Sequence, residues 1–533
     1  MQKLRTYRAI INILMIVLML TWQIGQPLQA ATFVWTLDVV GPNNWNSASN
    51  WSLTSGTSTA GFPTLVDDIA NLTNNITANQ TVNLSQVITL GTLNLGDSDG
   101  TNTFTLAAGT GGYLIMDVSS GSAAINKDVA ANANDIISTG IQFNDTLAVT
   151  NNSTTGSLTF SGGLRSNGSD ITFNGAGAIN VTTAGIVTGG NFIKNDAGTT
   201  TLSIASTYAG STTVNGGTLK VGLAAAIPVR SAITIAAGAA LDLLDTVNTL
   251  GSLTGAGTLT STPTAARITT IGRDDTSTTF TGRILAPATP ANLAITKIGA
   301  GTLTLQPQLA VAAGNYTGNT IINGGKITLD TSASTLTTGF LATTPLQVTG
   351  GNFEMIGRSG ASVTQTMGNF TLGATGGSIT ITPNGGTSTI LRLGSVTTTA
   401  AGGALLVTAP ANTIVSNTTT ALTNNILGAG RAVFTDGTAN TYNWLSQGST
   451  TPFQWTGLGT GVGTTPAYTG ALPLNGTGVS TGNYTVSGSQ IQNTAASTIN
   501  TLKITATGVG QAFDLSTFNL AAAGMLITGT DAY

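Results

Sequence analysis

Apolar and polar residues alternate in short runs along most of this chain. In Gly301-Thr302-Leu303-Thr304-Leu305 the leucines fall at every second position with threonine between them, which is the period of a strand with one buried face. Leu219 and Val221 alternate with Thr218 and Lys220 in the same way, and Ile327 and Leu329 with Lys326 and Thr328. β-Branched Thr, Val and Ile suit a pleated, half-buried surface. Gly, Asn and Ala break the runs every four or five residues, and few windows carry a helical period. The pattern predicts an all-β chain of short strands.

Two stretches repeat one pattern. Lys194, Gly198, Leu202, Tyr208, Gly210, Thr212 and Asn215-Gly216-Gly217 return as Lys297, Gly301, Leu305, Tyr316, Gly318, Thr320 and Asn323-Gly324-Gly325. An insertion after Gln306 changes the spacing from 103 to 108 residues. Asn-Gly-Gly between strand patterns accepts positive φ, so the chain can turn there. Self-similarity of this kind predicts a solenoid of stacked units, and stacked units make long surfaces more often than one catalytic pocket.

These two stretches, residues 194–221 and 297–329, resemble the autotransporter-associated β-strand repeat, also called the passenger-associated transport repeat. Its usual form runs Lys-x-Gly-x-Gly-Thr-Leu-x-Leu, then Asn-x-Tyr-x-Gly-x-Thr, then Asn-x-Gly-Thr-Leu. The first copy departs from it with Asp196-Ala197-Gly198 and Ser206-Thr207-Tyr208, the second with Lys326-Ile327. None of these changes disturbs the alternation. The resemblance implies a right-handed parallel β-helix, exported as a bacterial surface passenger.

Composition agrees with that architecture. Only 7% of the 533 residues are charged and 5% aromatic, while glycine contributes 69; ordinary globular chains carry about a quarter charged residues. The 41% apolar residues, placed in alternation, argue for a buried core rather than a solvated coil. If a rung takes about 20–25 residues, some twenty rungs spaced ~4.8 Å apart would give a rod on the order of 100 Å. There is no cysteine, hence no disulfide framework. The resemblance implies export across the outer membrane unfolded, which a premature cross-link would obstruct.

The amino terminus has the layout of an export signal. Lys3, Arg5 and Arg8 precede an apolar stretch from Ile10 to Leu20, and Leu28-Gln29-Ala30 offers a small-residue cleavage site before Ala31. The stretch is shorter than the ~20 residues that span a bilayer, so cleavage between Ala30 and Ala31 is expected, with no membrane span afterwards. Losing three of 17 basic residues against 20 acidic ones takes the net charge from −3 to −6, a sign that disfavours nucleic acid or anionic membrane as partner.

Residues 31–70 hold Trp35, Trp45 and Trp51, then Pro63 and Asp67-Asp68. We read them as an aromatic amino-terminal cap over the open edge and core end of the first rung; the competing reading is a sugar-stacking platform. Residues 71–430 carry the β-helix pattern. From 431 to 490 the alternation weakens and aromatics cluster, which we read as an irregular insertion or distorted rungs. Strand pattern resumes over 491–533 and stops without a recognisable cap or anchor, so the chain reads as part of a longer product.

Motifs that would carry chemistry mostly dissolve. Gly478-Val479-Ser480-Thr481-Gly482 and Gly96-Asp97-Ser98-Asp99-Gly100 fit a nucleophile-elbow spacing. The elbow needs a histidine base, and the chain has none. The second motif also resembles the start of a calcium loop, but the position for its bidentate glutamate is Ala108. Arg273-Asp274-Asp275, with Arg267 and Arg283 nearby, is the densest charge cluster, and its adjacent aspartates would face opposite sides of a strand. We read these charges, and Asp242 and Asp245, as solvated loop residues. The sequence thus assigns no catalytic, cofactor or metal residue. It predicts a structural or adhesive exported passenger, secreted or at the bacterial cell surface. Its partners would be the export machinery and surface polysaccharide or other surface proteins. The alternatives are a polysaccharide lyase of β-helix type and a surface-lattice or matrix subunit.

Overall fold

A computed structural model of the chain describes residues 30–418 except 129, 131, 245–246, 263–266, 286–292, 309–315 and 399–402. Beyond 418 it describes 431–438, 442–447, 453–458, 470–471, 483–487, 490–491, 497–506, 513–514 and 520–529. Among the described residues there is no α-helix, only one 3₁₀ turn at Ala48–Asn50 and short strands. The strands stack in parallel as a β-solenoid of about 15 turns. The chain divides into two compact units, Met1–Ala209 and Gly210–Tyr533.

In the first unit each turn contributes strands to three faces. One face stacks Ile69–Leu72, Thr92–Leu95, Ala123–Lys127, Leu147–Asn151, Ile171–Asn174 and Phe192–Lys194. A second stacks Gln80–Leu84, Phe104–Ala108, Asp135–Ile137, Ser157–Phe160, Ala178–Val181 and Thr199–Leu202. The third runs from Val87–Leu90 through Tyr113–Met116, Ile141–Phe143 and Leu164–Arg165 to Ile186–Val187. Alternation decides what lies inside. Ala70, Leu93, Ile125, Val149 and Phe173 occupy the same register position and are buried, as are Val82, Leu106, Ile137, Phe160, Val181 and Leu202 on the second face. Each inward column therefore packs like on like along the stack, which buries apolar area in every turn at about 25 cal/mol per Å².

Outward positions carry neutral polar side chains in register. The Asn94 amide donates to Asn71 Oδ1 at 2.7 Å and the Asn126 amide to Asn94 Oδ1 at 3.0 Å. Further along the face the Asn195 amide donates to Asn174 Oδ1 at 2.9 Å. These asparagines form hydrogen-bonded ladders between turns.

The second unit follows the same rule. Leu303, Ile327, Phe353, Ile379 and Val407 share one register on its largest stack, with Leu305, Leu329, Met355 and Ile381 beside them, and all are buried. A further face runs from Asn248–Leu250 through Arg267–Ile271, Leu293–Lys297, Thr320–Ile322 and Leu346–Val348 to Phe370–Leu372. Pairing changes at residue 433: Ala432–Thr435 and Asn443–Gln447 pair antiparallel, as do Asn443–Gln447 and Phe453–Gly457. Trp455 lies buried there, donating to Asn417 Oδ1 at 2.7 Å. Parallel pairing returns where Asn483–Ser487, Ser497–Ala506 and Leu520–Gly529 stack.

Candidate functional site

The repeated segments are the most specific feature of the sequence, and the structure explains several of their residues. Lys194 and Lys297 each fall on the inward phase of the alternation, two residues after buried Phe192 and Ile295, and both are almost wholly buried. Each ammonium reaches back to the turn that follows it. Lys194 Nζ donates to the carbonyls of Asn195 and Asp196, the latter at 2.9 Å. Lys297 Nζ donates to Ile298 O at 2.5 Å and Gly299 O at 3.2 Å. Burial pulls the Lys194 pKa down to about 8, against the pull of the Asp196 carboxylate. Burial lowers Lys297 likewise, opposed by Asp275 and Asp274.

The turn itself needs a left-handed residue. Asp196 has φ 54° and Gly299, at the same repeat position, φ 70°. Aspartate tolerates that region better than most side chains, which is why the first copy can depart from glycine. Two residues on, no side chain fits: a Cβ on Gly198 would lie 2.4 Å from Gly177 O, and one on Gly301 2.3 Å from Thr276 O. In the second copy the buried Tyr316 hydroxyl and Thr320 Oγ1 are 2.8 Å apart, and Thr320 meets Thr344 Oγ1 of the next turn at 3.2 Å. Burial holds the Tyr316 pKa above its ordinary value. The motif's Tyr-x-Gly-x-Thr is thus a closed hydroxyl network, with Gly318 passing against the backbone of Leu293 and Ala294. These residues build turns and corners; none presents a reactive group to solvent.

The predicted cleavage residues lie beside the tryptophan cluster. Ala31 is buried, and its N–H donates to Asp68 Oδ1 at 3.0 Å while Asp68 Oδ2 accepts from Thr64 and Leu65 N–H, each at 3.0 Å. Thr32–Trp35 pairs antiparallel with Trp51–Ser55 and parallel with Ile69–Leu72. Trp51 packs edge-on against Trp35 and Trp45, at centroid distances of 5.0 and 4.7 Å. All three indole N–H groups are satisfied internally, by Gln80 Oε1, Pro63 O and Trp45 O. A sugar-stacking platform needs an open ring face; Trp35 and Trp45 expose nothing.

The candidate chemical motifs are structural in detail. Asp97 is fully buried, where its carboxylate accepts from the N–H groups of Ile76, Thr101 and Asn102. Asp99 is exposed, and hydrogen bonds from Thr101 hold its pKa below the ordinary value. Arg273 and Asp274 lie in a turn rather than on a strand. Asp275 has φ 63°, and its Oδ1 accepts from Ala300 N at 2.8 Å in the next turn. The cluster thus forms a turn between strands. Asp242 departs from the solvated reading: it is buried, and its carboxylate accepts from Leu244 and Thr262 N–H and from the Thr262 hydroxyl. Asp245 and the 478–482 motif lie outside the described residues. Among the described residues no three His, Cys, Asp or Glu side chains gather to hold a metal ion. An open polar groove of about 520 Å³ runs beside the asparagine ladder of Asn71, Asn94 and Asn126.

The sequence reading missed one buried pair. Lys127 and Asp135 form an ion pair with both side chains fully buried. A signal was present, since Ala123, Ile125 and Lys127 share one phase of the alternation. That Asp135 returns opposite Lys127 depends on the length of the intervening turn.

Comparisons with known proteins agree with this geometry. A family model described as Passenger-associated-transport-repeat matches residues 192–221 and 295–329. The chain is 32% identical over 223 residues to the adhesin BmaC autotransporter of Brucella suis biovar 1 (strain 1330), an alignment covering 41% of this chain and 6% of that protein. No solved structure matches. Two copies of the passenger-associated transport repeat thus sit in a parallel β-solenoid, their lysines, glycines and tyrosines forming its turns.

Proposed function

We propose that the chain is a non-catalytic passenger, exported to the bacterial surface or beyond, whose solenoid provides a structural or adhesive surface. The observation that carries this reading is the pair of transport repeats built into a parallel solenoid. Similarity to an autotransporter adhesin supports it. In the same reading residues 1–30 are a leader removed before Ala31, and residues 31–70 close the amino-terminal end of the solenoid with the buried tryptophan hairpin. Surface polysaccharide or another surface protein is the partner, met by neutral hydrogen-bonding side chains on the outer faces. Residues 431–490 then interrupt the regular turns and 491–533 resume them.

Incubating the purified mature chain with acidic polysaccharides and calcium distinguishes this from the lyase alternative. The expected result is retention on immobilised polysaccharide or on bacterial surface protein with no rise in ultraviolet absorbance. Accumulation of unsaturated, ultraviolet-absorbing products would overturn the reading.

A further inference from the structure

The buried Lys127–Asp135 pair sits where two faces of the first unit meet. Lys127 ends the strand Ala123–Lys127, and Asp135 begins the strand Asp135–Ile137. In register, Lys127 lies between Leu95 and Asn151, and neither side chain reaches solvent. A salt bridge this dry gives up the hydration of both ions and recovers it only in part by attraction. Proton transfer from ammonium to carboxylate relieves that cost and leaves an amine facing a carboxylic acid. Burial raises the proton affinity of Asp135 against the opposing pull of Lys127 and of the Phe104 N–H, and the carboxylate of Asp97, in the corner of the preceding turn, adds a smaller push in the direction of burial. Amine and acid are the two reactants of amide formation.

The rest of the corner suits that reaction. Phe104 N–H donates to Asp135 Oδ1 at 2.8 Å, so a fixed donor waits where negative charge would develop on attack at Cγ. Lys127 Nζ contacts the other oxygen, Oδ2, which places the nucleophile beside the carbon with its approach already paid in folding. Asp97 is fully engaged by the N–H groups of Ile76, Thr101 and Asn102.

We propose that Lys127 and Asp135 condense into an intramolecular amide cross-link once this corner has folded. Lys127 Nζ forms a bond to Asp135 Cγ, the Cγ–Oδ2 bond breaks, and Oδ2 leaves with two protons, one from the amine and one from the acid, as one molecule of water. No oxidant or co-reactant is needed, and exclusion of bulk water from the corner opposes the reverse hydrolysis. In a chain without cysteine, such a link would form only after the turns have stacked.

Intact mass spectrometry of the full exported chain tests this. The expected mass lies one water below that of the mature sequence. Lys127 is the sole basic residue between Arg8 and Arg165, so trypsin acting on the denatured chain should fail to release a free 128–165 peptide. The Lys127→Met variant should regain the full sequence mass. Release of a free 128–165 peptide at full mass from the wild-type chain would overturn the proposal. So would a water deficit that persists in Lys127→Met, since that would mark dehydration elsewhere. Should Lys127→Met fail to fold, tryptic mapping of the wild-type chain decides by itself.

Discussion

Lys194 ends an apolar column, below Phe173 in register, and its stem lies in the core while its ammonium binds the carbonyls of the next turn. A long cationic side chain can divide itself in this way, apolar along the stem and polar at the tip. The cost appears in its proton equilibrium. With a folded pKa of about 8 against an ordinary 10.5, the unfolded chain binds more protons between those values, so this lysine makes stability rise with pH across that window. Below about pH 8 the gain is absent. Tyr316 acts in the opposite sense above about pH 10, where its raised pKa lets the unfolded state ionise first and stability falls. We expect urea midpoints to climb between about pH 8 and 10 and the Lys194→Met variant to lose part of that slope. Identical slopes in both proteins would show that the lysine stays charged in the folded state.

Alternation is the property of the strand, and it sorts neighbours with opposite tolerance. Leu303 is buried, whereas Thr302 is half-exposed one residue earlier. Leu303→Asp places an unpaired charge in the column it shares with Ile327 and Phe353 and should destabilise by several kcal/mol. Thr302→Asp should cost far less, and equal losses by chemical denaturation would contradict the inward assignment. Element for element, the strands of both repeats were legible because period two is set by the pleat alone. The inward lysines were equally legible in phase, as Phe192-Ile193-Lys194 shows, but a charge at a core position gives no hint of which carbonyls receive it. Asp242 was misjudged as solvated for a related reason. A carboxylate in a glycine-rich turn looks exposed in sequence, yet stacking brings N–H groups of the same and adjacent turns onto it, and those donors come from residues whose neighbours are set by turn length.

Across the whole chain, the mature amino terminus is where processing and folding should meet. Cleavage before Ala31 would leave an ammonium on the atom that now donates to Asp68, turning an amide–carboxylate hydrogen bond into an ion pair beneath the tryptophan hairpin. Amino-terminal sequencing of exported material should begin at Ala31; a start at Met1 would contradict the leader. Asp68→Asn should weaken the mature chain, read as a lower urea midpoint, because a buried ammonium would lose its countercharge. Finally, the asparagine ladders bear on the setting in which the outer surface works. Their donors and acceptors are neutral, and the chain holds no histidine. A contact made through them would not be screened by dissolved ions and would not titrate near neutrality. Attachment through such a face would hold alike in fresh water, brine or mildly acidic fluid.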